Sequence, residues 1–79
     1  MKAGRYDRVR LLVDVSSEIR DRVLPQGAEG TVVETFEQPR EGYAVDFPVP
    51  DSRLVGGHAW ENVMLTPDQF EVVARHRQA

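Results

Sequence analysis

The sequence contains no cysteine, which excludes disulfide bonds, cysteine-based zinc sites and thiol catalysis. It has no excess of basic residues either. The 10 lysines and arginines stand against 13 acidic residues, for a net charge of −3. The strong positive surface that is typical of nucleic-acid binding is therefore not predicted. Because no run of about 18 apolar residues occurs, the sequence predicts no membrane-spanning helix.

The chain is also short, with 79 residues against about 100–150 for a typical domain. We therefore expect a single domain whose core covers residues 6–74. A domain of this size builds one modest core and has little room for a deep catalytic cleft. We expect a protein that is not an enzyme and needs no cofactor. The stretch Met1–Arg10 lacks the apolar segment of a signal peptide, so we expect a cytoplasmic protein.

What the chain does have is valine, which occurs 12 times and suits half-buried strands. Alternation of apolar and polar residues predicts strands at Tyr6–Val15 and Tyr43–Phe47, and β-branched and aromatic content predicts one at Thr31–Phe36. Strand-like stretches at Leu54–Leu65 and Phe70–Ala74 bring the number to five. The stretch Ser16–Leu24 fits either a short helical turn or an extended loop, and Pro25 ends it. Thr66 followed by Pro67 predicts a single helical turn before the last strand.

Glycines mark three special positions along this pattern. Pro25-Gln26-Gly27 predicts a turn in which Gly27 adopts positive φ. Gly30 at the start of a strand indicates a bulge or a close approach of another segment. The pair Gly56-Gly57 predicts a bulge or a sharp bend.

Five short strands with one turn before the last predict an all-β domain, a small five-stranded SH3-like barrel with a short 3₁₀ turn. Closure of a barrel would protect the strand edges of so small a sheet. An OB-fold is the alternative, although it normally has a longer chain and a helix between its third and fourth strands.

Four segments carry a resemblance to a known group of proteins. They are Tyr6-Asp7-x-Val9-x-Leu11-Leu12, the stretch from Leu24-Pro25 through Gly30-Thr31-Val32-Val33-Glu34, and Tyr43-x-Val45-Asp46-Phe47, with Val63-Met64-Leu65 in the closing strand. The chain resembles a family of short, single-domain bacterial proteins of unassigned function. It departs from that pattern at Asp51–Trp60, which is longer than a plain hairpin. The same glycine-rich turn is similar to KOW-type SH3-like domains and to the SH3-like part of nitrile hydratase β subunits. The family resemblance implies an immunity or antitoxin role, because such proteins often lie beside toxin or effector genes.

Candidate catalytic and metal-binding residues are sparse. His58 and His76 are the only histidines, and their separation favours two unrelated surface side chains over a metal site. The serines fall in predicted turns, and no Gly-x-Ser-x-Gly motif occurs. We therefore predict no catalytic, cofactor or metal site.

Carboxylates gather around one predicted hairpin, at Glu29, Glu34, Glu37, Glu41 and Asp46. They fit a solvated sheet face that blocks edge-to-edge pairing, or an acidic hairpin that meets a basic partner. The aromatic residues Tyr6, Phe36, Tyr43, Phe47 and Phe70 are expected in the core or as plugs at the ends of the barrel. For Trp60, core and interface remain equally open.

These patterns favour a non-enzymatic protein-binding module. The most specific hypothesis is an immunity- or antitoxin-like protein that occludes a toxin or effector. The predicted partner-binding residues are Glu37, Arg40, Glu41, Arg53, His58 and Trp60. One alternative is a KOW-like RNA-binding domain that uses the arginines between Arg5 and Arg22, which Asp7, Asp14, Glu18 and Asp21 nearly balance. Another is an accessory subunit of a larger enzyme. A homodimer is compatible with so small a core.

Overall fold

A computed structural model describes residues 1–17, 22–50 and 56–77, and in these ranges the chain is all-β. The strands are β1 (Arg8–Leu11), β2 (Val15–Ser17), β3 (Arg22–Leu24), β4 (Glu29–Phe36), β5 (Gly42–Pro50), β6 (His58–Leu65) and β7 (Phe70–Ala74). The one helical element within these ranges is a 3₁₀ turn at Pro67–Gln69, immediately before β7, as predicted. No helix in the described part of the chain is long and apolar enough to cross a membrane.

Five strands form one antiparallel sheet in the order β6-β5-β4-β1-β7. β2 and β3 pair with each other as a separate two-stranded hairpin. The long strands β4, β5 and β6 follow one another through the sheet, so β6 forms one edge and β7 forms the other.

The first predicted strand, Tyr6–Val15, is wrong in its extent, since β1 ends at Leu11 and β2 begins at Val15. The predicted helical turn or loop at Ser16–Leu24 is also wrong where the structure describes it. Ser16 pairs with Val23 and Val15 pairs with Leu24, which satisfies the backbone groups of both segments. Residues 18–21 of that prediction lie outside the described residues.

The core lies on the inner face of the sheet and under the hairpin. Its largest fully buried side chains are those of Tyr43, Phe47, Phe70, Leu11 and Leu65. The Tyr43 and Phe70 rings meet edge to face, with their centroids 5.2 Å apart. The predicted core positions of Tyr43, Phe47 and Phe70 are therefore confirmed, and these three side chains are the largest in the core.

Two glycine predictions are confirmed by the backbone. Gly27 has a φ of 92° in the turn before β4. A Cβ atom on Gly30 would lie 2.7 Å from the carbonyl oxygen of Asp46 and 2.8 Å from Cδ1 of Phe47. Only glycine lets β4 approach the core ring this closely.

Phe36 and Tyr6 were expected in the core or at a barrel end, and the structure exposes both on the surface. The register of β4 against β5 shifts between Val32 and Glu34, which leaves Val33 as an extra residue. A β-bulge of this kind turns every following side chain to the opposite face, so Phe36 points outward instead of inward. Tyr6 lies in the turn before β1 with a φ of 74°, so its side chain does not follow the alternation of the strand.

One buried carboxylate joins the N-terminal and C-terminal segments of the described chain. Asp7 accepts hydrogen bonds from the backbone N–H groups of Gly4 at 2.8 Å and His76 at 2.7 Å. The guanidinium of Arg75 donates to the same carboxylate at 3.2 Å. Burial of this carboxyl opposes its ionisation, but the three hydrogen bonds outweigh that effect and lower the pKa of Asp7.

Candidate functional site

β6 presents two large apolar side chains to solvent. Its inward residues Ala59, Val63 and Leu65 alternate with an outward set that includes Trp60 and Met64. Trp60 is 61% exposed and Met64 is 58% exposed. A sheet face that meets only water normally carries polar side chains, so this pair marks the outer face of β6 as unusual.

The neighbouring strands contribute further apolar residues to the same face, of which Ala44 and Gly42 are themselves buried beneath their neighbours. Trp60 lies directly opposite Pro48 of β5, and Met64 lies opposite Ala44. On the other side of β5, the outward-turned Phe36 lies opposite Gly42. We refer to these six residues, which share the outer face of the sheet, as the outer strip: Phe36, Gly42, Ala44, Pro48, Trp60 and Met64.

A groove of about 400 Å³ occupies one end of the outer strip. Phe36 and Met64 stand on the two flanking strands, while Gly42 on the central strand β5 has no side chain to fill the space between them. A Cβ atom on Gly42 would lie 3.7 Å from Cε of Met64, which is ordinary van der Waals contact. The groove therefore exists because a small residue separates two large ones. The β4–β5 loop, with Pro39, closes its end.

A polar pair interrupts the strip between the groove and Trp60. The amide of Asn62 donates to the Asp46 carboxylate at 2.7 Å, and the two residues face each other across β6 and β5. In the described ranges, no arginine or lysine forms an ion pair with Asp46. The Asp46 carboxylate thus lies between the two apolar ends of the strip, while the neighbouring outward carboxylate, Glu34 opposite Ala44, is paired with Arg5.

The structure separates the predicted partner-binding residues into two groups. Glu37, Arg40 and Glu41 lie in or beside the β4–β5 loop, whereas His58 and Trp60 lie at the opposite end of the β5–β6 pair. A strand rises about 3.3 Å per residue, so the levels of Gly42 and Pro48 are about 20 Å apart. Arg53 lies outside the described residues. The outer strip runs along the sheet from the β4–β5 loop, with its three predicted residues, to the end that carries His58 and Trp60.

Glu41 engages the chain's own N-terminal segment. Its carboxylate accepts a hydrogen bond from the Tyr43 hydroxyl and another from the backbone N–H of Lys2, the latter at 3.0 Å. These two hydrogen bonds lower the pKa of Glu41. Burial, followed by the hydrogen bond to Glu41, raises the pKa of Tyr43. Glu41 therefore has a structural role, whatever it contributes to a partner.

Two of the five carboxylates of the predicted acidic hairpin, Glu29 and Glu34, are paired with arginines within the sheet. Glu34 pairs with Arg5 at 2.7 Å, and their hydrogen bond lowers the pKa of Glu34. Glu29 lies 3.3 Å from the guanidinium of Arg8 and 3.5 Å from that of Arg10. The arginines were expected to be balanced by Asp7 and Asp14 among others, but it is the hairpin's own glutamates that they face. Such exposed pairs stabilise the fold little, yet they disperse the predicted concentration of charge.

The two histidines have separate local roles. Nδ1 of His58 lies 2.9 Å from the carbonyl oxygen of Gly56, beside the bend that Gly56 and Gly57 form with φ values of 87° and 74°. The His76 ring packs edge-on against Tyr6, with the centroids 5.4 Å apart. Within the described ranges, no three histidine, aspartate or glutamate side chains are grouped as a metal site requires.

Comparison with known proteins adds no relative, since no protein-family model, curated protein or solved structure matches this chain. The resemblance to a short bacterial family accordingly stays a prediction.

Sequence reasoning missed Phe36 and Met64 as exposed residues. The signal for Met64 was weak, because it lies on the face of Trp60 and opposite to Val63 and Leu65, but both faces of β6 mix apolar and polar residues. The signal for Phe36 was absent, because nothing in the β-branched run Thr31-Val32-Val33 indicates which residue is bulged.

Proposed function

We propose that this protein is a non-enzymatic protein-binding module and that the outer strip is its binding surface. The observation that carries the proposal is the exposure of Trp60 and Met64 together on the outer face of one edge strand. Tryptophan is enriched among the residues that dominate interface energies, and methionine adapts to irregular apolar partners. A flat, partly apolar sheet face with a shallow groove suits a protein partner better than a buried small-molecule substrate.

We further propose that the fold is an SH3-like barrel. The strand order β6-β5-β4-β1-β7, the 3₁₀ turn before β7 and the contact between the β2–β3 hairpin and β6 support this assignment. In such a fold, the loops and the outer sheet face are free to bind while the inner face forms the core.

In its sharpest form, the proposal is an immunity- or antitoxin-like protein that occludes a toxin or effector in the bacterial cytoplasm. A small sheet can cover the active or binding surface of a partner without any chemistry of its own.

An accessory subunit of a larger enzyme would use the same surface. The pairing of Arg5, Arg8 and Arg10 with glutamates weighs against the RNA-binding alternative, which needs a contiguous positive surface.

Capture of partners from the native host, with variants of the strip as bait, tests this function. The double variant Trp60→Thr with Met64→Thr removes the apolar side chains from an exposed face. Val13→Thr, a nearly isosteric change at an exposed position between β1 and β2, is the matched control. We expect wild type and control to retain the same protein partner and the double variant to lose it. Retention by all three, or retention of RNA alone, would contradict the proposal.

A further inference from the structure

We infer that the partner presents a cationic side chain, arginine or lysine, between apolar side chains, on an extended segment that lies along β5. This inference rests on the proposed function and specifies the chemistry of what the outer strip binds. Its support comes from the groove, from the position of Asp46 and from the spacing between them.

The groove defines one apolar contact. Phe36 and Met64 form its sides, and both are exposed, at 38% and 58%. An aliphatic side chain placed over Gly42 would cover both at once.

Asp46 defines the charge of the partner. Any segment that covers both the groove and Trp60 must also cover Asp46, because Asp46 lies between them on β5. Its one described hydrogen bond, from Asn62, leaves the carboxylate with unused acceptor capacity. Removal of a carboxylate from water is costly unless a cation or strong donors compensate. A partner with an arginine or lysine at this point satisfies Asp46, whereas an acidic or purely apolar partner does not.

Trp60 and Glu37 reinforce the same preference. Trp60 and Asn62 lie on the same face of β6, so a guanidinium at Asp46 would also lie near the Trp60 indole, on which arginine stacks favourably. At the other end, Glu37 is an exposed carboxylate of the β4–β5 loop and forms no ion pair in the described part of the chain. Arg40 in the same loop offsets part of this negative charge, so the cation preference is centred on Asp46.

The spacing fits an extended segment. Pro48, Asp46, Ala44 and Gly42 share the outer face of β5 at every second residue. An extended partner segment also directs every second side chain to one side, about 7 Å apart. Its apolar side chains at positions i, i+4 and i+6 would then meet Pro48 with Trp60, Ala44 with Met64, and Gly42 with Phe36. Its cation at position i+2 would meet Asp46.

The test uses two synthetic peptides, acetylated and amidated, of sequence Leu-Thr-Arg-Thr-Leu-Thr-Leu and the same sequence with Glu in place of Arg. Trp60 is the only tryptophan, so its fluorescence reports on the strip directly. We expect the Arg peptide to shift the Trp60 emission to the blue and to bind at least about tenfold more tightly than the Glu peptide. Asp46→Asn should abolish most of that difference. Gly42→Val, which fills the groove, should weaken the binding of the Arg peptide.

Equal affinities for the two peptides, or a preference that survives Asp46→Asn, would overturn the inference and leave the outer strip standing as a protein-binding surface. A lack of any response at Trp60 would also overturn it. The capture experiment with the strip variants decides the proposed function independently. Unfolding curves of Asp46→Asn and Gly42→Val confirm that each variant retains its fold.

Discussion

The Asp7 carboxylate accepts a hydrogen bond from the backbone N–H of His76 at 2.7 Å, which fastens the segment after β7 to the segment before β1. With Gly4 and Arg75 as further donors, this buried side chain is the main polar link between the two segments. An asparagine at this position would present an amide N–H₂ group to at least one of those donors. We expect Asp7→Asn to lower the free energy of unfolding by about 1–3 kcal/mol, as measured by urea denaturation.

The same carboxylate makes stability depend on pH. Because the pKa of Asp7 is lowered in the folded state, its contribution is present above the unfolded-state pKa of about 3.9. The contribution is lost as the pH falls from there through the folded-state pKa. Wild type should therefore lose more stability than Asp7→Asn on acidification below about pH 4. Parallel pH profiles for the two proteins would show that Asp7 does not act in this way.

Replacement of glycine by alanine should have opposite effects on the free energy of unfolding at Gly30 and at Gly42. Gly30→Ala places a methyl group within 3.0 Å of the Asp46 backbone and the Phe47 ring, so we expect a loss of about 1–3 kcal/mol. Gly42→Ala meets nothing closer than 3.7 Å and removes a flexible residue from a strand. It should be neutral or stabilise by up to about 1 kcal/mol. Urea denaturation of both variants checks the prediction, and equal losses would contradict it.

Substitution of Tyr43 tests whether Glu41 stabilises the fold through its hydrogen bond to the Tyr43 hydroxyl. The buried Tyr43 hydroxyl accepts a hydrogen bond from the backbone N–H of Lys2 at 2.7 Å and donates one to Glu41. Tyr43→Phe keeps the ring and should cost about 0.5–1.5 kcal/mol of unfolding free energy. If Glu41 acts through this hydroxyl, Glu41→Gln should destabilise wild type more than it destabilises Tyr43→Phe. A double-mutant cycle measures this coupling, and additive effects would contradict it.

Trp60 should matter little to folding. Its side chain is mostly exposed and its main described neighbour is Pro48 across the strand pair. We expect Trp60→Thr to change the free energy of unfolding by less than about 1 kcal/mol, as measured by circular dichroism in urea. In the wild type, acrylamide should quench the Trp60 emission nearly as efficiently as that of free indole. A large destabilisation or a shielded indole would place Trp60 in the core.

Sequence patterns predicted the features that depend on local chemistry. The β4 and β5 strands, the turn at Gly27 and the 3₁₀ turn at Pro67 all follow from alternation or from residue types with fixed backbone preferences. The β2–β3 hairpin was missed because Ser16 and Arg22 carry no strand signal. The pairing that makes them strands forms between segments.

The candidate site was harder to predict, because it depends on which face each side chain occupies. On β6, one face carries Ala59, Glu61, Val63 and Leu65, and the other carries His58, Trp60, Asn62 and Met64. Both sets mix apolar and polar residues, so the alternation alone does not identify the inner one. On β4, the bulge at Val33 also moves Phe36 from the inner to the outer face of the sheet. The outer strip could be recognised only once the register of β4, β5 and β6 was known.

Site-specific photocrosslinking in living cells of the native host tests the central claim most directly. A photoreactive phenylalanine analogue replaces Trp60 in one variant and Val13 in another, so that both carry the same group at exposed positions. The outer strip as a protein-binding surface predicts a defined protein adduct from position 60 and none from position 13. No protein adduct from position 60, or the same adducts from both positions, would contradict it.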